Sequence, residues 1–454
     1  MSPGRQKQTL TLCHADKHSF LLKFKESFTI DKLASSSPFA YLKVASWTRE
    51  GDQNQGNCCS WDGVECHAES SRVVGLDLKS SCLYGSINSN NTLFRLVHLN
   101  MLDLLDNNFN SSEVPSRLGY DLLSLSYLNL SWSEFSGQIP SEISKLTKLS
   151  TLDLFHNNGL ELKKSNMRIL VQNLTSIKQL HLSDVGIYST MPDILVNASS
   201  FTSLNLSYCG LNGEFPVGIF HLPNLEELSL GSNIDLNGYF PTFNRTNSFK
   251  TLDVSWTNFS GGNFPRFVAN LTHLAYLDLG DNSITGEIPS WLGLESTQLT
   301  HLLLAYIDLQ GAVPKSFFHL RKLKGLDLSY NRLSVRVKFS LSATLPKFEV
   351  LRLAECNLTE FPEFLKNQYE LGALELSGNN IHGQIPKWLW NATRETLVNL
   401  DLDFNFLTGF EENPVTLPWK NLQLFNLKNN RLQGSLPIPP PVAEPGILPQ
   451  GVVV

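Results

Sequence analysis

The chain has no apolar run of about 18 residues, the minimum for a helix that crosses a bilayer. Its start, MSPGRQKQTLTLCHADKHSF, is basic but lacks the apolar core of a secretory leader. No Lys/Arg-rich stretch occurs and the formal net charge is −6, which argues against nucleic acid or an anionic membrane surface as partner. Charged residues are scarce, at 17%, below the usual quarter or so. Ser, Thr, Asn and Gly supply the polarity instead. Of seven cysteines, none forms the paired C-x2-C arms of a zinc site. No Gly-rich phosphate loop follows a strand, no nucleophile elbow appears, and the histidines are scattered. These absences predict a non-enzyme without metal or cofactor.

What the chain has is a repeat. The pattern LxxLxLxxNxLxGxIP returns fifteen times, most completely as LAYLDLGDNSITGEIP from Leu274 and LGALELSGNNIHGQIP from Leu371. Its Asn column holds Asn107, Asn157, Asn233, Asn282, Asn331, Asn379, Asn405 and Asn430. Ser81, Ser133, Val185, Cys209, Thr257, Ile307 and Cys356 stand in the other repeats. Successive column positions lie 23 to 28 residues apart, which leaves no room for a second folded unit. Such a period with LxxLxL is the signature of leucine-rich repeats. The predicted fold is an α/β solenoid, a right-handed superhelix of about 15 plant-type repeats. Its parallel β-sheet lies on the concave face. In LxL the leucines point inward and the residues between them face solvent. The Asn turns the chain out of the strand and pairs backbone groups left open there. The Gly-x-apolar-Pro endings at Gly137, Gly213, Gly238, Gly286, Gly311, Gly383 and Gly434 suit the flank.

Residues 1–12 are expected to be a disordered start, 13–72 a cysteine-stapled cap, 73–437 the repeats and 438–454 a Pro-rich tail. In the cap, Leu21, Leu22, Phe24 and Phe28 suggest an amphipathic helix over the first repeat, with Trp47 and Trp61 as core. A tight Cys cluster before a solenoid reads as a disulfide seal on its open end. The pairing read here is Cys13–Cys58 and Cys59–Cys66; adjacent Cys58 and Cys59 are poor partners for each other. Cys82, Cys209 and Cys356 are expected to be buried free thiols.

The position before the Asn column carries Trp132, His156, Tyr208, Trp256, Tyr306, Tyr330 and Phe404, which are the ligand-binding candidates. The plainer reading is that each ring packs on its neighbour. Asp77, Asp103, Asp153, Asp253, Asp278, Asp327 and Asp401 form an acidic ladder, read as part of the repeat template more than as a ligand site. His14, Asp16 and His18 have metal-like spacing but read as polar positions at a helix start. Asn-x-Ser/Thr sequons stand at Asn90, Asn110, Asn129, Asn173, Asn197, Asn205, Asn244, Asn258, Asn270, Asn357 and Asn391, and favour a secretory route. Asn129 and Asn205 lie inside LxL, where a glycan would mask the strand face.

The opening CHADKHSFLLKFKESF, the cap CCSWDGVEC, VVGLDLKSSCLYGSI and the LxGxIP repeats resemble plant leucine-rich-repeat receptor-like proteins of the Cf-type disease-resistance family. The resemblance covers about residues 10 to 440. It implies a superhelical domain on the extracellular face of the plasma membrane, held by one transmembrane helix. It implies binding of a microbial or endogenous protein, peptide or glycan ligand, and defence signalling through a partner receptor kinase. With no leader, membrane helix or C-terminal cap visible, the expectation is a truncated product whose last repeat is uncapped and whose membrane attachment needs a segment missing here. The alternatives are a soluble apoplastic inhibitor resembling polygalacturonase-inhibiting proteins, or a product without independent activity.

Overall fold

In a computed structural model, residues 13, 15–48, 57–241, 248–295, 298–335, 345–412, 414–438 and 452–453 are described. The chain divides into two compact units, Met1–Asp235 and Leu236–Val454.

In the first unit, Val73–Asp77, Met101–Asp103, Tyr127–Asn129, Thr151–Asp153, Gln179–His181, Ser203–Asn205 and Glu227–Ser229 pair in parallel. Register is set by the LxL leucine. Leu76, Leu102, Leu128, Leu152, Leu180, Leu204 and Leu228 stand opposite one another and are all buried. The second unit repeats the device with Leu252, Leu277, Leu302, Leu326, Leu351, Leu374, Leu400 and Phe425. Because side chains alternate with period two, a slip of one residue would turn this ladder out to water. Each buried rung contributes roughly 1.5–3 kcal/mol of transfer free energy. The rungs align as adjacent parallel strands, the arrangement on which a leucine-rich-repeat solenoid depends.

Asparagines tie the turns together. Asn331 donates from Nδ2 to Leu304 O (2.7 Å) in the preceding repeat and to Leu328 O (3.0 Å) in its own. Its Oδ1 accepts from Leu309 N at 2.9 Å. Asn107 does the same with Leu78 O, Leu104 O and Leu83 N. Where the column holds Ser133 or Cys209, one bond to the preceding repeat survives, at 2.8 Å to Leu104 O and 3.0 Å to Leu182 O.

The flank is more ordered than its sequence suggests. In the second unit the segments Asn258–Asn263, Ser283–Glu287, Leu309–Ala312 and Arg332–Ser334 form another parallel sheet. Its turns need glycine: Gly286 has φ +94, and a Cβ there would meet Asn263 Oδ1 at 2.9 Å.

The cap is built around the helix Ala15–Lys25, which buries Leu21, Leu22 and Phe24, while Phe28 is half-buried beyond its end. Trp47 and Trp61 are buried and stack at 5.6 Å. The strand Val64–Cys66 pairs antiparallel with Val73–Asp77 and covers the edge of the first rung. Disulfides join Cys13 to Cys58 and Cys59 to Cys66, and Cys82, Cys209 and Cys356 are free and buried. The expected disordered start, 1–12, lies outside the described residues, as does most of the tail. One expectation fails at the other end. Val452–Val453 pairs in parallel with Phe425 and Asn426, so the edge of the last rung is not bare: its open backbone groups recruit a strand from the tail.

Replacing Asn331 with Ala strands three carbonyls and one N–H in a buried turn. The expected loss is roughly 2–4 kcal/mol of unfolding free energy, read by denaturant titration. Cys59→Ser opens a loop of sequence separation 7. It is expected to cost roughly 2 kcal/mol, read as a lower melting temperature of the purified chain.

Candidate functional site

The strand must turn sharply before each position of the Asn column, whichever residue fills it, and the residue at that turn takes a left-handed backbone. Trp132 (φ 52), His156 (55), Tyr208 (60), Trp256 (52), Tyr306 (56), Tyr330 (56) and Phe404 (48) all do so. Gly378 occupies the same place with φ 62. A bulky residue in this conformation costs on the order of 1 kcal/mol that glycine avoids. The turn throws each side chain outward.

The candidates separate into two kinds. In the first unit Trp132 stacks on His156 at 3.7 Å, and His156 Nδ1 lies 2.8 Å from Asp184 Oδ2. Asp184 stands between that pair and Tyr208, which is 67% exposed. In the second unit Tyr306 and Tyr330 stack at 4.2 Å and Trp256 approaches Tyr306 at 6.5 Å. Phe404, 61% exposed, is separated from them by Glu355 and Gly378. Packing on neighbours therefore accounts for the pairs, and leaves Tyr208 and Phe404 extended into solvent.

A cleft of about 530 Å³ opens between Tyr330 and Phe404, lined by Glu355, Glu375, Asp401 and Asp403. Burial raises the Glu375 pKa, and the Asp327 charge adds to this, while Arg352 opposes it from 3.5 Å. Glu355 and Glu375 were not singled out from sequence, and Asp403 is weighed there only as a poor acid/base partner for Asp401. They belong to three different columns, and only stacking those columns side by side reveals the cleft.

The acidic ladder has a structural task. Asp103, Asp153, Asp253, Asp278, Asp327 and Asp401 each accept the backbone N–H two residues on, closing the turn. Asp77 does so at 3.3 Å and also holds the buried Lys43 at 2.8 Å. Asn129 and Asn205 fill the same role toward Ser131 and Ser207. Asn129 is buried, so its amide is closed to a glycan in the fold; Asn205 is half-buried. Asn270 is also half-buried, Asn244 lies outside the described residues, and the other seven sequon asparagines are exposed.

One contact left no trace in the sequence. Asp106, at the turn position of its repeat, accepts from Ser36 N (2.7 Å), Ser36 Oγ (2.8 Å), Ser37 N (3.2 Å) and Ser80 Oγ (2.7 Å). Burial alone would raise its pKa, but these donors outweigh it and hold it below the usual range. A cap loop thus covers the turn column at the first repeats.

The leucine rich repeat N-terminal domain model matches residues 15–67, and the Leucine Rich Repeat model matches 124–146, 200–222, 273–294 and 370–392. Receptor-like protein 6 of Arabidopsis thaliana is 30% identical over 94% of this chain and 56% of its own length. Receptor-like protein Cf-9 of Solanum pimpinellifolium is 37% identical over 58% of this chain and 31% of its own. The chain belongs to the plant leucine-rich-repeat receptor-like proteins. It spans about half the length of the first relatives it matches. In fold it is similar to the leucine-rich-repeat ectodomain of the Arabidopsis receptor kinase HAESA, with TM-score 0.58 and 22% identity over 93% of this chain and 87% of that one.

Receptor-like proteins of this fold are binding scaffolds and not enzymes. His181 lies 3.4 Å from Asp153 and 2.9 Å from Ser203 Oγ, which has the outline of a nucleophile relay. Ser203 is buried, however, and its hydroxyl donates to Glu227 at 2.9 Å. His14 lies outside the described residues. Asp16 pairs with Lys17 and His18 packs on Trp61. Among the described residues, the clustered thiols of Cys13, Cys58 and Cys59 are consumed by the two disulfides. Burial pushes the Cys209 and Cys356 thiols up to about 12, far from reactive. No helix among the described residues is long and apolar enough to cross a membrane.

Asp278 offers a pH test. Burial first, then the neighbouring Asp253 and Asp327 charges, push its carboxyl up to about 7 against the Gly280 N–H. A raised acid stabilises the fold below its unfolded pKa, near 4, and that contribution is lost as pH rises through about 7. Asp278→Asn is therefore expected to flatten the decline of melting temperature between pH 5 and 8. An identical decline in both proteins would reject the assignment.

Proposed function

We propose that this chain is the recognition domain of a plant defence receptor on the extracellular face of the plasma membrane. It binds a peptide, protein or glycan ligand on its strand faces and acts through a partner receptor kinase. The observation that carries this reading is the set of exposed aromatic rings held at left-handed turns where glycine would be easier. Large rings kept in water at a backbone cost are what a hot spot for a partner requires. The rim of carboxylates beside Phe404 suits a ligand that presents apolar and basic groups together. Kinship with receptor-like proteins supports the receptor role and leaves the ligand open.

The test separates frame from surface. Tyr208→Gly and Phe404→Gly relieve backbone strain and leave the leucine ladder alone, so unfolding free energy should stay within about 1 kcal/mol of the parent. In leaf tissue carrying the receptor and challenged with fractionated microbial culture filtrates, either change should abolish the immune response. A full response from both variants would reject the strand face as the recognition surface. Inhibition of a fungal polygalacturonase by the purified chain would favour the apoplastic-inhibitor reading instead.

A further inference from the structure

The first unit holds a second cleft, of about 490 Å³, on the flank beside the Gly-x-apolar-Pro turns. Its size lies within the range of small-molecule sites. Its polar lining is dominated by uncharged groups, the hydroxyls of Ser86, Ser89, Ser112 and Ser116 and the amides of Asn88 and Gln138. Val114, Pro115 and Pro140 supply aliphatic surface, and Glu113 one carboxylate.

Two polar atoms of this lining are enclosed without a hydrogen-bond partner, Ser112 Oγ and Gln138 Oε1. The Gln138 amide nitrogen is already committed, donating to Ile139 O and Glu161 O, so its orphaned oxygen is an acceptor, while the Ser112 hydroxyl can donate or accept. Orphaned buried polar atoms are rare and call for an explanation. The chemistry wanted is a ligand rich in donors, with apolar C–H faces for the prolines and no negative charge to oppose Glu113. A neutral or N-acetylated sugar has all three properties. No aromatic ring lines the cleft, so a free sugar would bind weakly. A tethered sugar would not need to bind tightly, because a short tether supplies a millimolar effective concentration.

The tether is at hand. Asn90 is exposed in a turn, adjoins Ser89 of the lining, and heads the sequon Asn90-Asn91-Thr92. Asn110, two residues before Ser112 of the lining, has its side-chain oxygen engaged by the Tyr84 hydroxyl. We propose that the flank cleft seats the inner N-acetylglucosamine units of a glycan carried on Asn90, so that the glycan packs as part of the first repeats. The inference rests on the secretory route of the function proposed above.

The test uses the full chain secreted from plant cells. Site occupancy is read by peptide mass spectrometry, and native peptide N-glycosidase digestion is timed at Asn90 and at the exposed Asn357. The expected result is glycosylation at both sites, with Asn90 released several-fold more slowly. Ser112→Leu, which fills the cleft, should bring Asn90 to the Asn357 rate. If that variant does not fold, Glu113→Gln should shift the rate in the same direction. Equal rates in the parent chain overturn the proposal. So does an empty Asn90 beside an occupied Asn357, which leaves the secretory reading intact; two empty sites reject both. Asn90→Gln protein titrated with soluble chitobiose supplies the remaining arm. Tight binding there, without protection of the Asn90 glycan, would assign the cleft to an external saccharide and reject the tethered one.

Discussion

Most rests on the asparagine that ends eight of the fifteen strands. Its amide donates to a carbonyl of the repeat before it and to one of its own, while its oxygen gathers an N–H from the preceding turn. Leucines alone would give a greasy stack free to slide, because burial is non-directional. Buried hydrogen bonds with fixed geometry remove that freedom, since a slipped register would leave them unmade. The left-handed turn persists where the column holds Ser133, Cys209, Thr257 or Ile307, so it belongs to the repeat backbone, and the asparagine bonds lock it.

The frame was plain in the sequence because its causes are local and periodic. Alternation in LxL fixes which face is buried, and the column count fixes the register, so the rungs from Leu76 to Leu228 and from Leu252 to Phe425 needed no three-dimensional information. The flank sheet from Asn258 to Ser334 was not legible. Its strands are short, rich in glycine and polar residues, and held by backbone bonds that carry no side-chain pattern.

The surface was legible only by halves. The aromatic column could be named, but not which rings pair, because that depends on neighbours one period away. Trp132 finds His156 and Tyr306 finds Tyr330, whereas Phe404 meets Gly378 and then Glu355 along its column. The clasp of Ser36 on Asp106 spans 70 residues with no motif at either end. The acidic ladder shows the opposite case. A charge pattern that invites a ligand is spent largely on backbone N–H groups within two residues.

The reach of the asparagine bonds has an evolutionary corollary. Asn331, like its counterparts, binds within its own coil and the one before it, never further. Unequal recombination that removes or duplicates one whole coil therefore rejoins compatible ends and leaves the scaffold intact. Genes of this kind can lengthen, shorten and shuffle their outward residues at little structural risk.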